Sequence, residues 1–421
     1  MDLQTKALHA GYEKDSQGTM AVPIYQTTAY EFRDVEHAAN LFALKELGNI
    51  YTRLNNPTTD VFEKRFTELE GGEAAIATAS GMSAIFYAIA NAAEAGDNII
   101  CANQLYGGSL TLNAHTFKRF GIQAHFFDVH KPQDIEALVD DKTKVIFFES
   151  LTNPSIDVAD IEAITTIANK HGILTVVDNT VATPVLCRPF EFGADISVHS
   201  TSKYTTGQGL AIGGILVERK GLLEKLKANP RYPQFNEPDA SYHGLVYVDV
   251  PLPPFTLRTR FSLLRDIGAV PSPFNSWLFI QGVETFALRM REHSKNALVL
   301  AEFLEAHPKV LKVNYPGLKS NANYEMAQKY FEDGQSSGLL SFEVGSLEEA
   351  TKIVNATELY SLVVNIGDSK SIITHPASTT HQQLTDEELV ACGVPSGLIR
   401  ISCGLESSKD LIADIKQALE A

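Results

Sequence analysis

A lysine flanked by small hydroxyl-bearing residues is the clearest chemical feature of the chain. Lys203 follows Ser200 and Ser202 just after a short apolar run, 196–198, and a glycine-rich stretch, 207–214, comes next. This pattern predicts a strand that ends in a loop carrying one amine and several phosphate-binding groups. An amine with a fixed position and a depressed pKa can form a Schiff base with a carbonyl, whereas a lone lysine after a strand is more often an exposed charge.

An aspartate about one βαβ step upstream changes the interpretation of this lysine. Asp178 ends the strand-forming run 173–177, so its carboxylate is expected at the C-terminal edge of a sheet, where open α/β sheets bind ligands. On its own, Asp178 would be interpreted as a helix N-cap. Together with Lys203 it suits pyridoxal 5'-phosphate (PLP), because the lysine binds the cofactor and the aspartate keeps the pyridine nitrogen protonated.

The residues around Asp178 and the segment 200–204 resemble the Cys/Met-metabolism family of PLP-dependent enzymes, and the similarity extends from Thr5 to about Leu419. The resemblance implies the α/β fold of the type I (aspartate aminotransferase-like) PLP-dependent transferases. That fold has a mostly parallel sheet flanked by helices and a smaller C-terminal α+β domain. The expected parts are an N-terminal arm (1–60), a PLP-binding large domain (61–278) and a small domain (279–421).

The alternation of strand-like and helical patterns also predicts a mostly parallel sheet flanked by helices. Residues 221–274 are the least regular portion, and a long helix expected over 275–304 is broken or bent near Gly282. The predicted strands are 74–79, 98–102, 123–127, 144–149, 173–178, 196–198, 215–217 and 339–344. The other predicted helices are 60–70, 84–93, 132–139, 161–170, 347–355 and 409–419.

Several turns are candidates for holding the cofactor phosphate. The turn 80–83 (Ser-Gly-Met-Ser) follows a predicted strand and opens a predicted helix, although such a turn is commonly only a cap. The resemblance implies that the backbone amides of Gly81 and Met82 bind the phosphate. Ser200 and Ser202 are expected to complete the same site.

Two further residues are assigned by the resemblance to the cofactor ring. Tyr106 and Asn153 each follow a predicted strand and would otherwise be interpreted as a core residue and a turn residue. In the family, the matching tyrosine stacks on the pyridine ring and the matching asparagine binds near its phenolic oxygen. Methionine γ-lyases of the family typically have cysteine two residues after this tyrosine, so Gly108 counts against that activity.

The first 60 residues have little periodicity and many turn formers, so we expect this arm to pack on something else, such as another subunit. Its segment 51–58 resembles the family's Tyr-x-Arg-x-x-Asn-Pro-Thr, which crosses a dimer interface to the partner's cofactor phosphate. The resemblance implies that Tyr51 and Arg53 serve the neighbouring subunit. It also implies at least a dimer and, by family habit, a tetramer. Without the resemblance, Arg53 would be interpreted as a surface charge.

An arginine within an apolar strand-like run is the candidate for substrate recognition. Arg400 lies in such a run, 398–401, where a charge needs a partner; a salt bridge would provide one. The family uses the matching arginine to bind the substrate α-carboxylate, and the position of Asn365 borders the same group. The stretch 375–381 resembles the family's substrate-facing loop. Its two histidines have neither metal-like spacing nor a third ligand, so we expect no metal.

Composition narrows the function further. The chain of 421 residues has a formal net charge of −16, which argues against nucleic acids and anionic membranes as partners. The first six residues lack the basic stretch and apolar core of a signal peptide, and no apolar run reaches about 18 residues, so we expect neither a signal peptide nor a membrane helix. The four cysteines are scattered without metal-like spacing. We therefore expect a cytoplasmic enzyme with reduced cysteines.

The resemblance implies a PLP-dependent transferase of methionine biosynthesis that performs γ-replacement. The segment 236–244 resembles an insertion typical of the family's O-acetylhomoserine sulfhydrylases. O-acetyl-L-homoserine would react with sulfide or a thiol to give homocysteine or methionine plus acetate. Lys203 would transfer protons, and Tyr51 (also a substrate contact) or Tyr106 would be a further proton partner.

Several alternatives remain open at this point. The first is another activity of the same family, methionine γ-lyase or cystathionine γ-synthase. An NAD(P)-dependent oxidoreductase has a similar sheet pattern, but no Gly-x-Gly-x-x-Gly follows the first strand. A non-catalytic PLP-binding protein would not need the residues named above. The thiol donor, the leaving group (acetyl, succinyl or phospho) and the choice of dimer or tetramer are also open.

Overall fold

The structure is a computed structural model that describes residues 1–379, 382, 389 and 393–421. Two sheets organise it. The seven strands of the large sheet are β1 (Ala74–Thr78), β2 (Asn98–Ala102), β3 (Gln123–Phe127), β4 (Thr143–Glu149), β5 (Leu174–Asp178), β6 (Ile196–Ser200) and β7 (Gly214–Glu218). Among the described residues, the small sheet has five strands, which are β8 (Lys312–Asn314), β9 (Leu339–Glu343), β10 (Ser361–Leu362), β11 (Ile372–Thr374) and β12 (Leu398–Ser402).

The large sheet has the strand order β1-β7-β6-β5-β4-β2-β3. The pairs β6–β5, β5–β4, β4–β2 and β2–β3 are parallel, whereas β7 is antiparallel to both β6 and β1. The predicted mostly parallel sheet is therefore confirmed. Its carboxyl-terminal edge collects the ends of β2, β4, β5 and β6 beside the start of β7, since Ser200 faces Gly214 in the register.

The small sheet has the order β10-β11-β12-β9-β8, with only β10 and β11 parallel among the described pairs. β12 lies at its centre, and the Cα partners of Arg400 are Thr374 on β11 and Ser341 on β9. The predicted strand at 339–344 and the helices at 347–355 and 409–419 are confirmed within one residue at each end.

Helices flank both sheets, and several begin or end with the expected capping residues. Asn56 caps the helix that follows it by accepting from the backbone of Thr58 and Thr59, and Gly71 ends that helix at a φ of 75°. The α-helices are α1 (Leu3–His9), α2 (Val35–Phe42), α3 (Pro57–Glu70), α4 (Gly81–Ala90), α5 (Gly107–Thr111), α6 (Phe117–Arg119), α7 (Ile161–Lys170), α8 (Thr183–Leu186), α9 (Leu222–Leu226), α10 (Pro233–Asn236), α11 (Pro254–Arg258), α12 (Arg265–Ile267), α13 (Pro273–Glu284), α14 (Phe286–Glu305), α15 (Tyr324–Tyr330), α16 (Leu347–Ala356) and α17 (Ser408–Glu420).

Two predicted helices differ in detail from the helices of the structure. The stretch 132–139 is a 3-10 helix, Pro132–Ala137, rather than an α-helix; it buries only Ile135, so little packing stabilises longer helical structure. The helix predicted over 275–304 is the pair α13 and α14, separated at Thr285, close to the predicted break. Residues 221–274 contain only short helices, as their composition indicated.

The N-terminal region folds partly on its own chain. In α1, Leu3 and Ala7 are four residues apart and pack into the cluster formed by α3 and α13, and Ala7 is 2% exposed. α1 therefore packs on other parts of its own chain, and contact of the arm with a neighbouring subunit stays a prediction. Large apolar side chains further along it, Met20, Val35 and Leu47, are strongly exposed.

The cores lie where the layers meet. One apolar cluster covers the large sheet, and a second joins the small sheet to α14, α16 and α17. Cys101, Cys187 and Cys403 are free and buried, and Cys392 lies outside the described residues. In the part of the chain that the structure describes, none of the helices has the length and apolar character needed to cross a membrane.

Candidate active site

A cavity of about 390 Å³ opens at the carboxyl-terminal edge of the large sheet. It extends from the first turn of α4 to β12 of the small sheet, so residues far apart in sequence meet around it. The predicted site residues that line it are Gly81, Met82, Tyr106, Asn153, Asp178, Ser200, Ser202, Lys203, Asn365 and Arg400.

Lys203 lies in the turn that follows β6 and is partly buried rather than exposed. Its Nζ donates a 2.7 Å hydrogen bond to Oδ1 of Asn365. Burial, followed by the charge of Arg400, lowers the pKa of Lys203 to about 8. A substantial fraction of this amine is therefore neutral near pH 8 and able to act as a nucleophile or base.

Asp178 is the last residue of β5, and its carboxylate accepts a 2.9 Å hydrogen bond from the backbone of Thr180. It caps no helix, because α8 begins only at Thr183. Burial raises the pKa of Asp178 above the usual range, which the hydrogen bond opposes. A cation beside this carboxylate would stabilise its ionised form, and a protonated pyridine nitrogen is such a cation.

Glu149 lines the same cavity and was missed by the sequence reasoning. It ends β4 directly beside Asp178, its Cα partner on β5. Its Oε1 accepts from the backbone of Tyr106 at 2.6 Å and its Oε2 from that of Asn153 at 3.0 Å. Burial and the charge of Asp178 raise the pKa of Glu149. The signal available in the sequence was a charged residue at the end of an otherwise apolar strand.

The opposite end of the cavity has the features of an anion site. Gly81 and Met82 are the first two residues of α4, where backbone N–H groups have no partner within the helix. Ser80 and Ser83 form a capping box, so the turn is both a cap and a cavity wall. A Cβ at position 81 would lie 2.6 Å from Cβ of Ser200, so the close approach of the turn to β6 requires glycine.

The two predicted serines differ in their surroundings. The backbone N–H of Ser200 donates to Oγ1 of Thr180 at 2.8 Å, and Thr180 is a second lining residue that the sequence reasoning missed. The hydroxyl of Ser202 contacts the backbone of Gly213, at 3.0 Å from its nitrogen and 3.2 Å from its oxygen. Ser202 therefore joins its loop to the start of β7.

Tyr106 stands at the start of α5 and is 40% exposed, so it is not a core residue. Its ring lies against Gly108, since a Cβ added there would be 2.6 Å from Cε1 of Tyr106. The same added atom would be 3.4 Å from the sulfur of Met82. Glycine at position 108 thus leaves room for the tyrosine ring at the cavity wall.

Arg400 is 4% exposed and reaches the cavity from β12. Its guanidinium donates to Oδ1 of Asn153 at 2.9 Å and to the backbone oxygen of Asn365 at 3.1 Å, while its Nε has no partner. Among the described residues, its partners are an amide and a backbone oxygen rather than a carboxylate, so a salt bridge does not account for its charge there. Burial lowers the pKa of Arg400 to about 10, although the group stays cationic at neutral pH.

Tyr51 and Arg53 are the predicted site residues that do not line this cavity. The Arg53 guanidinium lies over the Tyr51 ring, 5.2 Å from its centroid, and both side chains are exposed. Within a single chain, the structure leaves this pair at the surface.

The histidine stretch at 375–381 is described only in part. Nδ1 of His375 lies 2.9 Å from the hydroxyl of Ser378 and Nε2 lies 2.7 Å from the backbone oxygen of Ser396, while His381 lies outside the described residues. Over 1–379 and 393–421, no cluster of three or more His, Cys, Asp or Glu residues is arranged to bind a metal ion.

Taken together, the donor set fits PLP. A partly neutral lysine lines the cavity, and a carboxylate suited to a pyridinium lies at the end of β5. Free amides at the start of α4 suit a phosphate, and the unpartnered Nε of Arg400 suits a carboxylate.

Comparison with known proteins also indicates a PLP-dependent enzyme. The sequence profile described as Cys/Met metabolism PLP-dependent enzyme matches residues 4–420. The O-acetyl-L-homoserine sulfhydrylase of Leptospira meyeri is 48% identical, over 99% of this chain and 96% of that protein. The homocysteine synthase of Schizosaccharomyces pombe is 45% identical, over 99% and 98%.

Two solved structures share the fold over the whole chain. A Campylobacter jejuni protein assigned as an O-acetylhomoserine (thiol)-lyase, which contains N'-pyridoxyl-lysine-5'-monophosphate, has a TM-score of 0.99 and 52% identity, with full coverage of both chains. The metB protein of Corynebacterium glutamicum has a TM-score of 0.86 and 32% identity, covering 100% of this chain and 98% of that one.

Proposed function

The chain belongs to the Cys/Met metabolism family of PLP-dependent enzymes, and on this basis we propose that it performs γ-replacement on O-acetyl-L-homoserine. Sulfide or a thiol replaces acetate, giving homocysteine or methionine. Full-length similarity to an O-acetyl-L-homoserine sulfhydrylase and a homocysteine synthase supports the substrate. The single observation that carries the proposal is one cavity in which Lys203, Asp178 and Arg400 meet.

Each end of the cavity has a separate task in this proposal. When bound, PLP supplies an electron sink for charge that develops at the substrate Cα. Asp178 would hold the pyridine nitrogen, and the amides of Gly81 and Met82, with Ser200 and Ser202, would hold the phosphate. Tyr106 would stack on the ring, and Asn153 would be a hydrogen-bond partner of its phenolic oxygen.

Lys203 is the proton-transferring residue of the proposal. Its lowered pKa allows Nζ to take a proton from the substrate Cα at physiological pH and to return it at a neighbouring atom. The hydrogen bond to Asn365 holds the free amine of Lys203 at the cavity wall. Tyr106, or Tyr51 of a neighbouring copy, is the candidate further proton partner.

Arg400 is proposed to bind the substrate carboxylate. Two of its bonds, to Asn153 and Asn365, orient the guanidinium, and the unpartnered Nε remains available for the ligand. Because the charge is buried without a described carboxylate partner, binding an anion removes an electrostatic cost. Asn365 borders the same position.

We also propose a homo-oligomer, at least a dimer and in its full form a tetramer, working in the cytoplasm. The exposed Tyr51–Arg53 pair, outside the cavity of its own chain, supports a role for both residues in the site of a neighbouring subunit. In this proposal the arm 1–60 contacts that neighbour, residues 61–278 bind the cofactor and residues 279–421 form the small domain. The exposed Met20 and Leu47 supply apolar surface for such a contact.

The deciding experiment is a steady-state assay of the PLP-loaded protein with O-acetyl-L-homoserine, with and without sulfide, beside L-methionine alone. Homocysteine formed only when sulfide is present supports the proposal. Ketobutyrate and methanethiol from methionine alone would indicate a lyase, and product formed from an O-succinyl substrate with cysteine would indicate a cystathionine synthase. Replacing sulfide by methanethiol tests the choice of donor.

A further inference from the structure

Glu149 occupies a position at the sheet edge where three functional segments converge. It ends β4, which lies between β5 and β2 in the sheet. Asp178 ends β5 on one side, and the segment after β2 leads to Tyr106 on the other. Glu149 is followed in its own chain by the turn that carries Asn153. A side chain at this point can contact all three segments.

The contacts of Glu149 use both of its oxygen atoms. Oε1 accepts from the backbone N–H of Tyr106 at 2.6 Å, and Oε2 accepts from that of Asn153 at 3.0 Å. One carboxylate therefore joins the segment that carries the ring-facing tyrosine to the turn that carries the partner of Arg400. The side chain of Asn153 extends this series of contacts, because its Oδ1 accepts a 2.9 Å hydrogen bond from Arg400.

General stability is a poor explanation for this residue. Glu149 is only 3% exposed, and no described cation forms an ion pair with its carboxylate. It also lies beside Asp178, a second carboxyl group. Burying two neighbouring carboxyl groups is unfavourable unless hydrogen bonds compensate. An apolar residue would fill the same space without that cost, so the two hydrogen bonds are what glutamate specifically provides.

We propose that Glu149 is a positioning residue that sets the distance between the Tyr106 ring and the Arg400 guanidinium through these two backbone hydrogen bonds. It acts on the cofactor ring through Tyr106 and on the substrate carboxylate through Asn153 and Arg400. This inference rests on the proposed function for the identity of the substrate, but its effect on the bound cofactor is independent of substrate.

Glu149→Gln is the variant that tests the proposal, because it keeps the volume but presents an NH2 group to one of the two backbone N–H donors. The loss of one of these hydrogen bonds moves either Tyr106 or Asn153, and displacements of about 1 Å at a reacting centre lower the rate by up to about 100-fold. We expect kcat/KM for O-acetyl-L-homoserine to fall about 10- to 100-fold, with KM for the amino acid rising more than KM for sulfide.

Glu218→Gln is the matched control. Glu218 is also buried and also accepts two backbone N–H groups, from Phe255 at 3.3 Å and Thr256 at 2.8 Å, but it does not line the cavity. We expect this variant to lower thermal stability about as much as Glu149→Gln does while kcat/KM stays within about twofold of the parent. Equal losses of kcat/KM in the two variants would overturn the proposal.

A double-mutant cycle separates positioning from structural damage. If Glu149 acts through Asn153, the rise in KM for the amino acid caused by Asn153→Ala becomes smaller in the Glu149→Gln background, because both changes disturb the same contacts between Glu149, Asn153 and Arg400. Strictly additive effects would contradict an action of Glu149 through Asn153. If Glu149→Gln fails to accumulate as folded protein, Glu149→Asp takes its place, since the shorter side chain keeps the charge but not both contacts.

A readout without substrate distinguishes this inference from the proposed function. Visible circular dichroism and the dissociation constant of PLP are measured for the parent, Glu149→Gln and Glu218→Gln. A weaker visible dichroic band in Glu149→Gln alone supports the positioning of Tyr106 against the ring, whatever the substrate. Identical spectra and PLP affinities in all three proteins would overturn it, even if the parent forms homocysteine. An inactive parent with the expected spectra would overturn only the proposed function.

Discussion

Nζ of Lys203 donates a 2.7 Å hydrogen bond to Oδ1 of Asn365, although the two residues are 162 positions apart in sequence. The first lies in the turn after β6 of the large sheet and the second lies between β10 and β11 of the small sheet. The reactive amine is thus held by a part of the chain that also contributes the backbone oxygen bound by Arg400.

Replacing Lys203 by alanine removes the amine that we propose binds the cofactor and transfers protons. We expect turnover of O-acetyl-L-homoserine to fall by at least about 1,000-fold, together with loss of the visible absorption of lysine-bound PLP. The control is Lys220→Ala, which removes an exposed lysine outside the cavity. An active Lys203→Ala protein with an unchanged spectrum would exclude this lysine from the chemistry.

The pH dependence of PLP uptake by the cofactor-free protein reports the lowered pKa of Lys203. Only the neutral amine attacks the aldehyde, so the rate rises with pH and levels off above the pKa, which lies at about 8. An ordinary lysine would place the midpoint near about 10.4. Stopped-flow absorbance over pH 6–11 measures it. Since the charge of Arg400 also lowers this pKa, Arg400→Gln should move the midpoint to higher pH; a midpoint already near that of free lysine would contradict the prediction.

Arg400→Lys tests whether the guanidinium recognises the substrate carboxylate. Lysine keeps the charge but cannot hold Asn153 and Asn365 while presenting a further N–H to a ligand. We expect KM for O-acetyl-L-homoserine to rise about 10- to 100-fold, with a much smaller change in KM for sulfide. Arg291→Lys, at an exposed arginine outside the cavity, is the control. A uniform loss for both substrates would point to misfolding.

Gly108→Ala tests the room left for the Tyr106 ring. The added Cβ would lie 2.6 Å from Cε1 of Tyr106, closer than packing allows, so the ring must move. Because the ring lies at the cavity surface, we expect kcat to fall about tenfold while the midpoint of thermal unfolding changes little. Gly345→Ala, at an exposed glycine that meets only the flexible end of Glu349, is the control. An unchanged kcat would show that Tyr106 does not act from this position.

Mixing two inactive variants tests whether Arg53 serves a neighbouring subunit. Lys203→Ala chains supply an intact Arg53, and Arg53→Ala chains supply an intact Lys203. If the arm crosses the interface, hybrid dimers contain one complete site, so co-refolded equimolar mixtures should regain about a quarter of the parent activity. Arg53 acting within its own chain predicts no recovery. Mixtures of Lys203→Ala with Asp178→Ala are the control and should stay inactive, because both residues line the cavity of one chain.

Much of the fold was predictable from local patterns. The strands predicted at 98–102 and 123–127 and the helix at 161–170 coincide with β2, β3 and α7. Each depends on apolar periodicity and flanking turn residues within a few positions, which the sequence displays directly. The prediction of a helix over 132–139 was less accurate, because apolar periodicity does not show that Ile135 is the only buried residue of the 3-10 helix found there. The packing of α1 on α3 and α13 was likewise not predictable from local patterns, since it depends on residues more than 50 positions away.

The amino-acid sequence alone indicated the chemistry of the candidate site, because a lysine among hydroxyls, a strand-ending aspartate and an arginine in an apolar run are local features. How those groups interact depends on the folded structure. It placed Asn365 against Lys203, left Arg400 without a described carboxylate partner and brought Glu149 between Tyr106 and Asn153. These relationships depend on strand order and on the meeting of two sheets, and side chains distant in sequence acquire their pKa values and partners only through that packing.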